Sequence, residues 1–176
     1  GLEKILLTVF FVLILFLFGF RDVSVGTDTG TYYLMRESYI NGSYESIKDF
    51  GFYFLVKITA PFGRSFFLFF CALMYLLPLY ILVIKLKKSS LFIFFSFISC
   101  FFFLNMGINI MRQGIALSFI LLSFYYFFQN KKKRFFILSL IGTSFHFSVI
   151  ILPILLIFLR EHLSVKKCLL LLSISI

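Results

Sequence analysis

Long uncharged runs dominate this chain and limit what it can fold into. Residues 65–84, 89–111, 113–130 and 135–159 contain no Asp, Glu, Lys or Arg over 20, 23, 18 and 25 residues. About 20 apolar residues in a helix cross the ~30 Å hydrocarbon core of a bilayer. With 61% hydrophobic and 14% charged residues the composition excludes a soluble globular domain, a disulfide scaffold, a disordered tail and a nucleic-acid module. The expected fold is all-α: a polytopic transmembrane helical bundle with broken helices and an extracytoplasmic loop. Spans are predicted at about 2–20, 65–86, 90–104, 110–129 and 135–159 within a single integral membrane domain.

The formal net charge is +10, and its distribution matters more than its sign. Residues 1–50 carry four bases and six acids, 4 − 6 = −2, whereas the remainder carries thirteen bases and only Glu161, 13 − 1 = +12. Lys85, Lys87 and Lys88, then Lys131 to Arg134, cluster between apolar runs as cytoplasmic loops do. Topology thus accounts for most of the basicity, and no nucleic-acid partner is expected. The same rule puts residues 21–50 on the extracytoplasmic side. There Asp28 or Thr31 is placed to cap a short helix through Ile40. Asp49 is placed to cap an interfacial helix through Thr59 that ends at Ala60-Pro61-Phe62-Gly63.

Two breaks are predicted. Asn105-Met106-Gly107-Ile108-Asn109 sets amides and a glycine where a continuous span would be apolar, and irregular backbone at such depth has to be buried or line a wet cavity. Residues 135–159 read either as one tilted helix or as two arms broken near 143–148. Bases on both flanks favour a hairpin with both ends in the cytoplasm. Cys71, Cys100 and Cys168 read as small buried hydrophobes. His146 and His162 have no metal-ligand spacing, so neither a metal site nor a cofactor is expected. Gly1 in place of methionine, and a final apolar run of nine residues (about 14 Å of helix), lead to the expectation that the chain is a fragment of a longer protein.

Few residues in this chain are equipped for chemistry. Arg112 interrupts an otherwise apolar stretch, where a charge costs about 2.5–3.5 kcal/mol on insertion scales, so it must face protein or water. A continuous helix would align Asn105, Asn109 and Arg112 on one stripe, with Gln113 beside it. Its planar fork suits a phosphate or carboxylate, and the bland alternative is an arginine snorkelling to the interface. His146, among Thr143, Ser144 and Ser148, suits proton transfer or phosphate orientation, with a simple interhelical hydrogen bond as the alternative. Asp28 lies in Gly26-Thr27-Asp28-Thr29-Gly30. An aspartic-protease reading fails because no second copy or flanking strand is present, which leaves helix capping or contact with a sugar hydroxyl. Tyr32, Tyr33, Tyr39, Tyr44 and Tyr53 suit an aromatic membrane belt, or less readily stacking on sugars. Asn41-Gly42-Ser43 matches a glycosylation acceptor relevant only in a eukaryotic secretory setting.

The order of these motifs resembles the EpsG family of bacterial exopolysaccharide proteins, related to Wzy-type polymerases. The matching blocks are Arg21 with Val25-Gly26-Thr27-Asp28-Thr29 and Tyr32, Gly51-Phe52, and Asn109 with Met111-Arg112-Gln113 and Ala116. The basic run into Phe135 and Phe145-His146-Phe147-Ser148 complete the set. Asp49 departs from the glutamate usual in the family before Gly-Phe. The resemblance implies an inner-membrane glycosyltransferase that joins polyprenyl-diphosphate-linked oligosaccharide repeats on the extracytoplasmic face, amid membrane lipids and other polysaccharide-assembly proteins. It implies Arg112 and Arg21 for the diphosphate, supported by Asn109 and Gln113, with His146 for proton transfer and Asp28 for the acceptor sugar. The rivals are a transporter or flippase of lipid-linked sugars and a non-catalytic subunit of a synthesis complex.

Overall fold

The computed structural model describes residues 2–43, 49–86 and 89–162. Tyr44, Lys87, Lys88 and everything from Leu163 onward, including Cys168, lie outside the described residues, as does the side chain of His162. Among the described residues the chain is entirely helical. Its elements are α1 Leu2–Gly19, α2 Thr29–Ile40, α3 Phe50–Thr59, α4 Gly63–Leu86, α5 Ser90–Ile98, α6 Phe101–Ile108, α7 Met111–Phe128, α8 Lys132–Phe145 and α9 Ile151–His162. Three stretches are long and apolar enough to cross a membrane: α1, residues Phe50–Leu86 as one unit, and α7. The pair α5–α6, bent by 69°, has the length and apolarity of either one further, broken span or a re-entrant loop.

Helical periodicity explains which faces are buried. In α1 the side chains of Leu7, Phe11, Ile14, Leu15 and Phe18 are buried, while Val9, Val12, Leu13, Phe16 and Leu17 remain exposed. An apolar helix in a bilayer has no reason to hide its outer face, so this is the ordinary lipid-facing arrangement. α4 sits between α1 and α7, with Phe67, Leu68, Cys71, Leu76 and Val83 almost completely enclosed. The α7–α8 contact includes a hydroxyl pair, Ser139 Oγ to Ser123 Oγ at 3.1 Å, of the kind that joins helices where water cannot compete.

The two ends of the bundle differ in charge. Tyr125 donates to the Lys85 carbonyl at 3.4 Å, and Lys85 and Arg134 both lie over the Tyr126 ring, so these bases share one end. The loop after α1, the start of α3 and the junctions α6–α7 and α8–α9 gather at the other. Leu156 and Leu159 of α9 face Phe127 and Phe128 across one cavity, which brings α9 back toward the basic end where α8 begins. Residues 132–162 therefore form two arms joined at His146, whose extended backbone (φ −156°, ψ 109°) ends α8 before a 3-10 turn.

Several details depart from the sequence reading. The sharp bend comes at Ser99–Cys100, ahead of the Asn105–Asn109 segment, because Cys100 takes extended backbone. The interruption expected at Asn105–Asn109 falls at Asn109–Ile110, so the stripe of Asn105, Asn109 and Arg112 that a continuous helix would give does not form. Cys100 is exposed, unlike buried Cys71. Tyr32 and Tyr39 are buried and pack their rings 5.8 and 6.3 Å from Phe52, so they belong to the core rather than to a membrane belt. Asp28 and Asp49 do occupy the N-cap positions of α2 and α3, yet neither side chain makes the capping bond. The side chains of Phe50, Phe54 and Ile58 on α3 are exposed, and α3 runs on into α4 as part of one apolar stretch, Phe50–Leu86.

Gly51 lets α3 approach the end of α8. A Cβ there would overlap Ser144 Oγ and lie 3.0 Å from the Ser144 carbonyl carbon. Gly51→Ala is therefore expected to cost about 1–3 kcal/mol through overpacking, read as a lower midpoint of thermal unfolding in detergent. Adding Ser144→Ala should recover part of that loss, and strict additivity of the two changes would contradict the contact.

Candidate functional site

The close approach of α3 and α8 sets three polar side chains beside one another. Arg112, in the first turn of α7, donates from Nη1 to Asp49 Oδ2 at 2.5 Å. His146 Nδ1 lies 4.0 Å from the same oxygen, is buried and makes no hydrogen bond. Asp49 is enclosed, with 7% of its side chain exposed, whereas Arg112 and His146 keep 28% and 31% open. A buried carboxylate is thus neutralised by a guanidinium whose outer face, like that of the imidazole, remains accessible. The Phe52 ring lies 5.8 Å below the Arg112 guanidinium and confines its plane.

Arg112 is thus held by Asp49 through Nη1 with part of its guanidinium open, and its Nε and Nη2 make no hydrogen bond to Asp49. Tyr32 of α2 closes another side. Burial raises its phenol pKa, while the charge and hydrogen bonds of Arg112 pull it back. Asp28 is four residues before Tyr32 and so on the same face of α2, one turn nearer its start. Its carboxylate accepts from Thr27 Oγ1 at 3.1 Å, leaving its other oxygen without a bond to the first turn of α2.

Arg21 and Asn109 do different work. Arg21 is nine-tenths buried, and its guanidinium ties together four helix ends. It donates to Phe18 O at 2.7 Å, Thr29 Oγ1 at 3.2 Å, Ile108 O at 3.1 Å and Met111 Sδ at 3.0 Å. Burial lowers its pKa from the ordinary arginine value. Asn109 receives the Thr27 N–H at 2.9 Å and donates to Asn105 Oδ1 at 2.8 Å, so it fixes the Gly26–Thr27 turn rather than Arg112. Gly26 has φ +88°, and a Cβ there would strike Ile108 and Asn109, which accounts for glycine at that place. Gln113 is half-buried on α7, about 100° around the axis from Arg112.

The structure thus brings Arg112 and His146 together at Asp49, while Arg21 and Asn109 hold the surrounding segments and Asp28 contacts Thr27 at the start of α2. Asp49 is the residue that sequence reasoning passed over as a helix cap. The available signal was its place two residues before Gly51-Phe52, where the resembling family carries a glutamate. Among the described residues no group of three His, Cys, Asp or Glu side chains is arranged to hold a metal ion.

Long apolar helices, one pair of them sharply bent, define an integral membrane protein. The EpsG family model matches residues 4–176, nearly the whole chain, and the chain belongs to that family. No curated protein and no solved structure matches it.

The Asp49–Arg112 pair makes a direct prediction about stability. In a double-mutant cycle with Asp49→Ala and Arg112→Ala, thermal unfolding in detergent should reveal a coupling of about 0.5–3 kcal/mol, as found for side chains in one ion-pair network. Coupling near zero would mean the two side chains do not interact in the folded protein.

Proposed function

We propose that the protein is a membrane glycosyltransferase that polymerises lipid-diphosphate-linked oligosaccharide repeats at the extracytoplasmic face of the bacterial inner membrane. The observation that supports this reading above all others is the shared carboxylate of Asp49, which joins an arginine and a histidine from separate helices at the less basic end of the bundle. In the reaction an acceptor sugar hydroxyl attacks the anomeric carbon of the donor sugar. The new C–O bond forms as the bond to the diphosphate breaks, and the hydroxyl proton is taken up by a base.

Each role has a candidate. His146 takes the proton at Nε2, with Nδ1 turned toward Asp49, whose negative charge stabilises the imidazolium that results. Arg112 offers the donors not spent on Asp49 to the diphosphate oxygens, where negative charge grows as the bond breaks. Asp28 receives an acceptor hydroxyl from the side of α2. Arg21 acts through position, holding the turn that carries Asp28 and the start of α7 that carries Arg112.

Arg112→Lys keeps the charge and removes the fork. In cells carrying the full-length protein at unchanged abundance, polymer should fall at least about tenfold, the least expected for a charge-assisted contact worth about 1.5–3 kcal/mol. Single repeats should then accumulate outside the membrane. A flippase or transporter would instead trap them in the cytoplasm, and that result would refute the polymerase. His146→Gln should lower turnover about 10²–10⁴-fold with substrate binding retained. Wild-type turnover in that variant would remove His146 from the chemistry, and wild-type polymer in both variants would favour a non-catalytic subunit.

A further inference from the structure

A second polar feature lies at the same end of the bundle. Phe20, Arg21, Asp22, Tyr33, Arg64 and Ser65 line an open cleft of about 420 Å³ between the end of α1, α2 and the start of α4. Exposed Phe16, Phe20, Phe62 and Phe66 flank it, so the cleft opens beside side chains that suit the lipid boundary. Met111, the residue before Arg112, contacts Arg21 through its sulfur at 3.0 Å. Arg21 therefore links the wall of the cleft to the start of α7, which carries Arg112.

The charges in the cleft are incompletely matched. All four acceptors of Arg21 are neutral, so a guanidinium with 9% exposure carries its charge into the wall without a bonded carboxylate. Asp22 stands on the rim, and its carboxylate accepts the Ser24 N–H at 2.9 Å instead. That bond holds its pKa below the usual carboxylate value, so Asp22 stays charged and offsets part of the field. Arg64 supplies the excess: the charged lining sums to 2 − 1 = +1 from Arg21, Arg64 and Asp22.

Arg64 is also free to act. Its side chain is 62% exposed, and among the described residues its one ion pair runs from Nε to Glu37 at 3.3 Å, while Glu37 is held more closely by Arg36 at 2.8 Å. Such a long, exposed pair costs little to loosen. Both Nη groups of Arg64 make no hydrogen bond among the described residues, and the guanidinium lies 5.7 Å over the Tyr33 ring, which limits its tilt. Two parallel donors on a confined plane match two oxygens of a phosphate.

We infer that this cleft binds the phosphate or diphosphate head of a second membrane-anchored substrate while the first occupies Arg112. The inference rests on the polymerase reading, because a reaction that joins two lipid-borne chains has to hold two anionic heads at once. Arg64 and Ser65 contact the head from α4, Tyr33 contacts it from α2, and buried Arg21 supplies the field behind.

The test uses the full-length protein in phosphatidylcholine nanodiscs with radiolabelled farnesyl diphosphate as the probe. Wild type should saturate at two molecules per chain. Arg64→Gln, at an exposed site with little bearing on folding, should weaken one of the two by about tenfold or more and leave the other unchanged. Arg112→Lys should affect the other one. Loss on Arg64→Gln alone supports the cleft and refutes the Arg112 site. Loss on Arg112→Lys alone, or saturation of the wild type at one molecule, overturns the cleft. Displacement of the second molecule by equimolar phosphatidylglycerol would show an ordinary phospholipid site, and equal affinity for inorganic pyrophosphate would show a site for the free anion. Either result overturns a substrate role.

Discussion

The burial of Arg21 is the constraint on which the less basic end of this bundle depends. A guanidinium cannot lose its proton, and removing it from water is costly unless its donors are satisfied. Here the acceptors are carbonyls of Phe18 and Ile108 at helix ends, a hydroxyl of Thr29 and the sulfur of Met111. Helix ends carry carbonyls with no partner inside the helix. One buried side chain therefore meets two needs: it is solvated by groups that would themselves be unsatisfied in an apolar slab. The arrangement ties the end of α1 to the start of α2 and to the α6–α7 junction, and so decides where α7 begins.

The position of Arg112 follows from that junction, and Asp49 completes the cluster from another direction. α3 enters beside the end of α8 because Gly51 has no side chain to hold them apart. The carboxylate at the start of α3 then lies within reach of both Arg112 and His146. Capping and pairing compete for this oxygen, and pairing wins because a carboxylate buried this deeply needs an opposite charge more than a helix end needs one acceptor. Arg36 performs a similar service nearby, donating to the Ala60 carbonyl at 3.0 Å and to Glu37, which fixes α2 against the turn before α4.

How much of this was legible follows from the range of each interaction. The spans at α1, α4 and α7 were visible because hydropathy is a property of consecutive residues. For residues 135–159 the sequence left one tilted helix or two arms open, with the flanking bases favouring the arms, and the extended backbone of His146 divides them. The bend at Cys100 was not legible, since Phe-Ile-Ser-Cys-Phe contains neither proline nor glycine and nothing local opposes a helix there. The stripe through Asn105, Asn109 and Arg112 assumed a continuous helix. That assumption fails because Asn109 serves the Thr27 N–H, 82 residues away in the chain.

Sequence alone determined that the chain is helical, that it lives in a membrane and that its bases gather at loops, because a bilayer tests each short segment for apolarity and hydrogen-bond closure independently of the others. The tertiary structure decided which polar residues meet. Asp49 and Arg112 are 63 positions apart, and no periodicity connects them. Their meeting depends on where Arg21 anchors the helix ends and on how closely Gly51 lets two helices approach. Such contacts come from packing, and packing is not written in any one segment.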